Sequence, residues 1–306
     1  MKLGRAMVKT GRTAGTHFFL LGRDYHLGDL LWLTAVLAEY RRQIQPDRLV
    51  VGLPDRPISA ILERNPLIDD LLRGEPGTLL TAARQRFHGL ILHDLRLLPL
   101  ALTMLRDYSY RLPWLYYRDL WLEGRGQWLA TLLRLGPLTN FRPVLELDGH
   151  DFDVAETIPA RYVVMAPHVG QYTLPLLGSF WRRIKAWPSR HWVELAHRLR
   201  HEGYEPITLG APGQAAIPGT QPVIGLSIRQ VAGVIDRAAA LLTVESGLWF
   251  VAAARSTPFV IVPWWLPRSI NWPAYMNLPH RLAYRDHATV GNVLSLIHEV
   301  IDGELA

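Results

Sequence analysis

No cysteine occurs among the 306 residues, which excludes disulfides and thiolate metal sites and fits a reducing compartment. Lysine is almost as scarce: of 33 basic residues, Lys2, Lys9 and Lys185 are the lysines and arginine supplies the rest. Lys185 is therefore an isolated ammonium in a chain that otherwise uses guanidinium. No apolar run approaches the ~20 residues that cross a bilayer; the most apolar stretch, 95–105, is broken by Arg96 and Pro99. The first 15 residues are basic, but no apolar block follows until His17, so they do not read as a signal peptide and a cytoplasmic location is expected. Neither G-x-G-x-x-G nor G-x-x-x-x-G-K-[ST] follows a strand, so dinucleotide and P-loop readings lack their fingerprints. H-E-x-x-H, G-x-S-x-G and short-period repeats are missing too.

What is there is length enough for two domains, each with its own core. The net charge of +6 is uneven: residues 1–150 hold 20 Lys and Arg against 15 Asp and Glu, and residues 151–306 hold 13 against 12. A basic first half suits an anionic partner such as a phosphorylated glycolipid, a membrane surface or nucleic acid, although so modest an excess also serves solubility alone. No RNA or DNA motif accompanies it, and no nucleic-acid partner is expected.

Short apolar runs alternate with helical periodicity along the chain, which predicts parallel sheets covered by helices on both faces. In the first half, strands are expected at 17–21, 48–53, 67–72 and 88–93, with a helix after Gly28-Asp29 and a short helix at 57–64. Asp29 then falls at a helix N-terminus near the carboxyl end of the first strand, the edge where ligands bind in open α/β sheets; a helix cap is the plainer explanation for it. Residues 95–135 read as mostly helical, aromatic and arginine-rich. The segment 142–147 reads as the last strand of a first domain, 1–148, and an acidic linker follows at 148–159. The tripeptide Asp151-Phe152-Asp153 in that linker has the D-x-D form that holds divalent metals in some sugar-transferring enzymes, but it reads here as solvated charge.

The second domain, 149–306, restarts the rhythm with strands at 162–166, 204–209 and 239–244. Helices are expected at 190–201, 227–237 and 290–301, the last of which is free to pack back on the first domain. The stretch 236–262 is the most informative, giving strand, polar corner, helix and strand in succession. Its corner, Glu245-Ser246-Gly247, opens a helix toward the carboxyl end of a buried strand, where unpaired N–H groups and the positive dipole end bind phosphate. In an isolated tripeptide, Ser246 would simply cap the helix. Gly210-Ala211-Pro212-Gly213-Gln214 is a turn at another strand end, and His168, in the loop that follows residues 162–166, is a phosphate-donor candidate or an ordinary loop histidine.

Taken in order, four blocks resemble glycosyltransferase family 9, the ADP-heptose:lipopolysaccharide heptosyltransferases. Gly28-Asp29-Leu30-Leu31-Trp32-Leu33-Thr34 with Asn65-Pro66-Leu67-Ile68-Asp69 is similar to the family's G-D-x-L-x-T helix and N-P-x-x-D element. Lys185-Ala186-Trp187-Pro188, with Trp192, Glu194, Leu195 and Ala196, is similar to its K-x-W-P and the helix after it. Leu209 through Gln214 resembles its glycine-rich turn, and Glu245-Ser246-Gly247 through Ala252-Ala253-Ala254 and Pro258 resembles D-S-G-x-x-H-x-A-A-A-x-x-x-P. The likeness spans roughly residues 17–300 and rests on order and spacing. Glu245 stands where the family has Asp, Phe250 where it has His, and the loop before Lys185 is unusually long.

The resemblance implies the GT-B fold, two Rossmann-like domains facing a central cleft, with the acceptor on the first and the nucleotide sugar on the second. It implies inverting transfer of a heptose or similar sugar, without metal or other cofactor, from a nucleoside-diphosphate donor, ADP-linked in the family, to lipopolysaccharide or another glycan. Peripheral contact with the cytoplasmic membrane face would then involve the basic first half. Asp29 is implied as the base for the acceptor hydroxyl and Lys185 as the charge on the leaving diphosphate. Ser246, Gly247 and Leu248 lie at the phosphate-binding helix start, Glu245 is implied as a hydrogen-bond partner of donor hydroxyls, and Gln214, Gly210 and His168 line the donor site. A relative that has lost catalysis and only binds a nucleotide sugar or a partner is the competing reading.

Overall fold

The computed structural model describes residues 15–23, 25–96, 133–136, 142–168, 185–264 and 279–303. Most of the arginine-rich stretch 95–135 and most of the long loop before Lys185 lie outside them. The chain divides into two compact units, Met1–Glu146 and Leu147–Ala306.

In the first unit, β1 (Thr16–Leu20), α1 (Leu27–Ile44), β2 (Arg48–Leu53), β3 (Asp70–Arg73), α2 (Pro76–Arg86) and β4 (Leu90–Asp94) build a parallel sheet of order β3-β2-β1-β4. Phe18, Phe19, Leu20 and Leu21 are fully buried, as expected of a strand covered on both faces. The predicted helix at 57–64 is instead a 3-10 helix, Pro57–Leu62. α2 was not expected, because only Leu79 and Ala83 among its residues are buried and its apolar signal is correspondingly weak. Asn65 and Asp69 are structural: Asn65 Nδ2 donates to the Val144 carbonyl at 2.6 Å, and Asp69 Oδ2 accepts from the Leu49 N–H at 2.6 Å.

The strand predicted at 142–147 is not formed. Pro143 removes a donor that a ladder would need, and the segment runs as a strap held by side chains instead. Val144 N–H donates to Thr34 Oγ1 at 2.8 Å while its carbonyl takes the Asn65 amide.

The second unit comprises α3 (Gly149–Phe152), β5 (Tyr162–Ala166), α4 (Ser189–His201), β6 (Glu205–Gly210), β7 (Gln221–Ile224), α5 (Ile228–Asp236), β8 (Ala240–Thr243), α6 (Leu248–Arg255), β9 (Phe259–Trp264), β10 (His280–Tyr284) and α7 (Val290–Asp302). Its parallel sheet has the order β10-β9-β8-β5-β6-β7. Val163, Met165, Leu242, Val260 and Val262 from the sheet meet Trp192, Leu195 and Leu199 of α4 in one core. Val290, Val293, Ile297 and Val300 of α7 complete it.

The acidic segment read as a solvated linker is ordered as α3 and a 3-10 turn, Ala155–Thr157. Asp151 is buried, not solvated: its carboxylate takes Arg229 Nε at 3.0 Å and Nη2 at 2.6 Å. Having Arg229 as its partner, it is a fixed anchor of α3 on α5 and not a metal ligand. The close approach depends on Gly233, where a Cβ would lie 2.0 Å from the Asp151 carbonyl oxygen.

Candidate active site

In both sheets the strand order reverses at one place, between β1 and β4 in the first unit and between β5 and β8 in the second. Ligands of open α/β sheets bind beyond the carboxyl ends of the strands at such switch points. Asp29 follows β1 and Glu245 follows β8, each beside the switch point of its own sheet.

In the second unit, β8 ends at Thr243 and α6 starts at Leu248, with Gly247 as the N-cap and no side-chain cap from that residue. Ser246 does part of the capping work one position earlier, its Oγ accepting from the Leu248 N–H at 3.3 Å. Its hydroxyl also meets Thr243 Oγ1 at 3.1 Å, which ties the corner to the buried end of the strand. Glu245, at the head of this corner, forms an ion pair with Lys185. Lys185 Nζ also lies 3.5 Å from the Glu245 carbonyl oxygen, and the two side chains are only 11% and 16% exposed.

The K-A-W-P block explains how Lys185 is held there. Trp187 is buried, packs edge-on against Trp192 and donates its indole N–H to the Ala288 carbonyl at 2.8 Å. Pro188 is the N-cap of α4, a position in which its missing N–H does no harm. An aromatic anchor and a helix start thus fix the backbone just after the lysine.

The glycine turn follows β6. Gln214 Oε1 accepts from the Ala211 N–H at 2.7 Å, so the amide oxygen offered as a ribose or base contact is engaged in its own turn. Gly210 is tightly enclosed: an added Cβ would stand 2.7 Å from Ile224 Cδ1 and 3.3 Å from Gln214 Oε1. His168, just beyond β5, donates from Nε2 to the Ala215 carbonyl at 3.0 Å, which joins its loop to the same turn. Lys185 and Glu245 are brought together directly, and His168 lies against the turn that holds Gly210 and Gln214.

Asp29 belongs to the first unit, in the first turn of α1 and half-buried. Its Oδ2 accepts from the His26 N–H at 2.9 Å, closing a capping box, so it does have the capping role. Nearby Tyr25 donates its hydroxyl to the Leu95 carbonyl at 3.0 Å. Burial pushes the Tyr25 phenol pKa up, and the charges of Asp29 and Asp94 push it further. The sequence reading missed Arg56, which pins this loop through the Tyr25 carbonyl at 3.2 Å and lines a small hollow with Tyr25, Leu53, Pro54 and Ser59. Its place directly after β2, at a strand's carboxyl end, was the available signal.

Among the described residues, no three His, Asp or Glu side chains converge as a metal-ligand set, and no helix is long and apolar enough to cross a membrane.

Residues 171–262 match the family model described as glycosyltransferase family 9 (heptosyltransferase). No curated protein sequence matches the chain. Among solved structures, a family 9 glycosyl transferase from Veillonella parvula aligns with a TM-score of 0.64 at 14% identity, covering 94% of this chain and 98% of its own. The ADP-heptose lipopolysaccharide heptosyltransferase II of E. coli aligns with a TM-score of 0.65 at 16% identity, covering 95% and 100%. The E. coli heptosyltransferase WaaC with ADP aligns at 0.56 and 14%, covering 93% and 98%. The likeness to glycosyltransferase family 9 is thus one of sequence over residues 171–262 and one of fold over nearly the whole chain, two α/β units with parallel sheets as in these GT-B glycosyltransferases.

Proposed function

We propose that this protein is an inverting, metal-independent glycosyltransferase that moves a heptose or similar sugar from a nucleoside-diphosphate donor to lipopolysaccharide or another glycan acceptor. The observation that carries this is the ammonium of Lys185, held nearly buried at the switch point of the second sheet beside the first turn of α6. That combination of point charge and helix-start N–H groups suits a departing diphosphate.

In the proposed reaction Asp29 takes the proton of the acceptor hydroxyl. The freed oxygen attacks the anomeric carbon from the face opposite the phosphate, the bond from that carbon to the phosphate oxygen breaks, and configuration inverts. The nucleoside diphosphate leaves with the bonding electrons, its charge met by Lys185 and by the N–H groups at Ser246 and Gly247. Glu245 accepts hydrogen bonds from donor-sugar hydroxyls, while Gly210, Gln214 and His168 shape the nucleotide end. Neighbouring structures carry ADP and ADP-2-deoxy-2-fluoro heptose, which favours an ADP-linked donor here. Cytoplasmic placement, with the basic first half against anionic headgroups, completes the reading.

A second reading, binding without transfer, rests on Phe250. It occupies the family's histidine position and is stacked on Trp249 at 3.7 Å between ring centroids, leaving no titratable group there. A thermal-shift titration with ADP, GDP, UDP, CDP and dTDP beside Lys185→Ala tests the site. Stabilisation by one nucleotide that the variant loses supports it, and no shift with any of them counts against it. Turnover of the matching nucleotide sugar then separates transferase from binder.

A further inference from the structure

We propose that Glu245 is a specificity-determining residue that makes the site prefer a sugar-bearing nucleoside diphosphate to the bare diphosphate, by holding Lys185 until a sugar hydroxyl replaces it. This rests on the nucleotide-sugar reading above. Lys185 is the cation assigned to the diphosphate, yet in this structure it is paired with the Glu245 carboxylate, with both side chains largely shielded from water. An ion pair in such a place is costly to split by removing one partner, because the other charge is left poorly solvated. A bare diphosphate that draws the ammonium to itself strands the Glu245 carboxylate and adds negative charge beside it. A donor carrying its sugar brings hydroxyls that donate to the carboxylate as the ammonium leaves, and hydrogen bonds to an ionised acceptor are strong.

The Trp187 anchor and the start of α4 fix the backbone after Lys185, so it is the lysine side chain that swings from the Glu245 carboxylate to the diphosphate. After transfer the sugar is gone, Glu245 regains Lys185, and release of the product diphosphate is favoured.

The test is calorimetric titration of wild type, Glu245→Gln, Glu245→Asp and the Glu245→Gln, Lys185→Met double variant. The ligands are the best-stabilising of the five diphosphates and its sugar-linked form. Glu245→Gln keeps hydrogen-bonding capacity toward a sugar but no ion pair. It is expected to bind the bare diphosphate about 10-fold more tightly than wild type, a difference of about 1.4 kcal/mol. The sugar-linked form should change by no more than about 3-fold, and the gain should vanish in the double variant. Melts without ligand report folding, and if Glu245→Gln does not fold, Glu245→Asp is read in the same way with a gain of about 3-fold. Wild type that binds both ligands, with the bare diphosphate bound no more tightly by the variant, overturns this proposal and leaves the nucleotide-sugar site standing. Binding of neither ligand by any variant overturns both.

Discussion

Lys185 and Glu245, 60 residues apart in the chain, meet in an ion pair at the carboxyl end of β8. One is presented by an aromatic anchor ahead of α4 and the other by the corner that opens α6. Removing the lysine therefore has two effects. Lys185→Ala should abolish nucleotide-dependent stabilisation. It should also lower the stability of the unliganded protein by about 1–3 kcal/mol, less than for a fully buried pair because both side chains retain some solvent contact. Urea unfolding with and without nucleotide reads both, and an unchanged ligand response in the variant would contradict the phosphate-binding role.

Asp29 joins a cap to a proposed base, and the two can be separated. Asn keeps a side-chain oxygen that can accept from the His26 N–H, so Asp29→Asn should change stability by less than about 1 kcal/mol. The same variant should lower the transfer rate by about 100-fold to 10,000-fold, since an amide cannot take the acceptor's proton. Unfolding curves and initial rates on one preparation check this, and a fully active Asp29→Asn would remove the residue as base.

Gly233 sits in α5, where alanine ordinarily stabilises a helix by about 1 kcal/mol. Here the new Cβ would lie 2.0 Å from the Asp151 carbonyl oxygen, a backbone atom that can yield only if α3 moves. Moving α3 pulls Asp151 from buried Arg229, and breaking a buried pair costs about 3–5 kcal/mol. Gly233→Ala should lose about 3 kcal/mol or more in denaturant melts. A variant as stable as wild type would show that α3 is not clamped as described.

His93 is packed among the rings of Tyr40, His17 and Phe19. Its Nε2 lies 2.9 Å from the Tyr40 hydroxyl and 3.2 Å from His17 Nδ1, and its ring stacks on Phe19. Burial, with a smaller contribution from His17, lowers its pKa from the ordinary 6.5 to about 4. Between those values the unfolded chain binds a proton that the folded protein excludes, so stability is fully present above pH 6.5 and falls as the pH drops toward 4. The loss should be about 2–3 kcal/mol. Melts from pH 7 to 4 should show His93→Gln with a distinctly shallower decline, and an equal decline in both would place the acid sensitivity elsewhere.

The central strands were legible in the sequence because a strand buried on both faces must be apolar throughout, as in β1, β2, β5 and β8. Edge strands β7 and β10 were not, since Gln221, Pro222, His280 and Arg281 face partial solvent and break the run. Residues 142–147 suggested a strand, and Pro143 together with the side chains of Thr34 and Asn65 made the segment a strap. The engagement of Gln214 with Ala211 is local and was within reach of turn chemistry. The fate of Asp151 was not, because its partner Arg229 lies 78 residues away.

The sequence by itself determined the two α/β rhythms and the placing of Asp29, Gly210 and the Glu245 corner near strand ends, because apolar period and turn residues are local properties of the chain. Tertiary structure alone decided which charges neutralise one another: Lys185 with Glu245, Asp151 with Arg229. Those pairings depend on distances set by sheet order and core packing, and sequence separation carries no information about either.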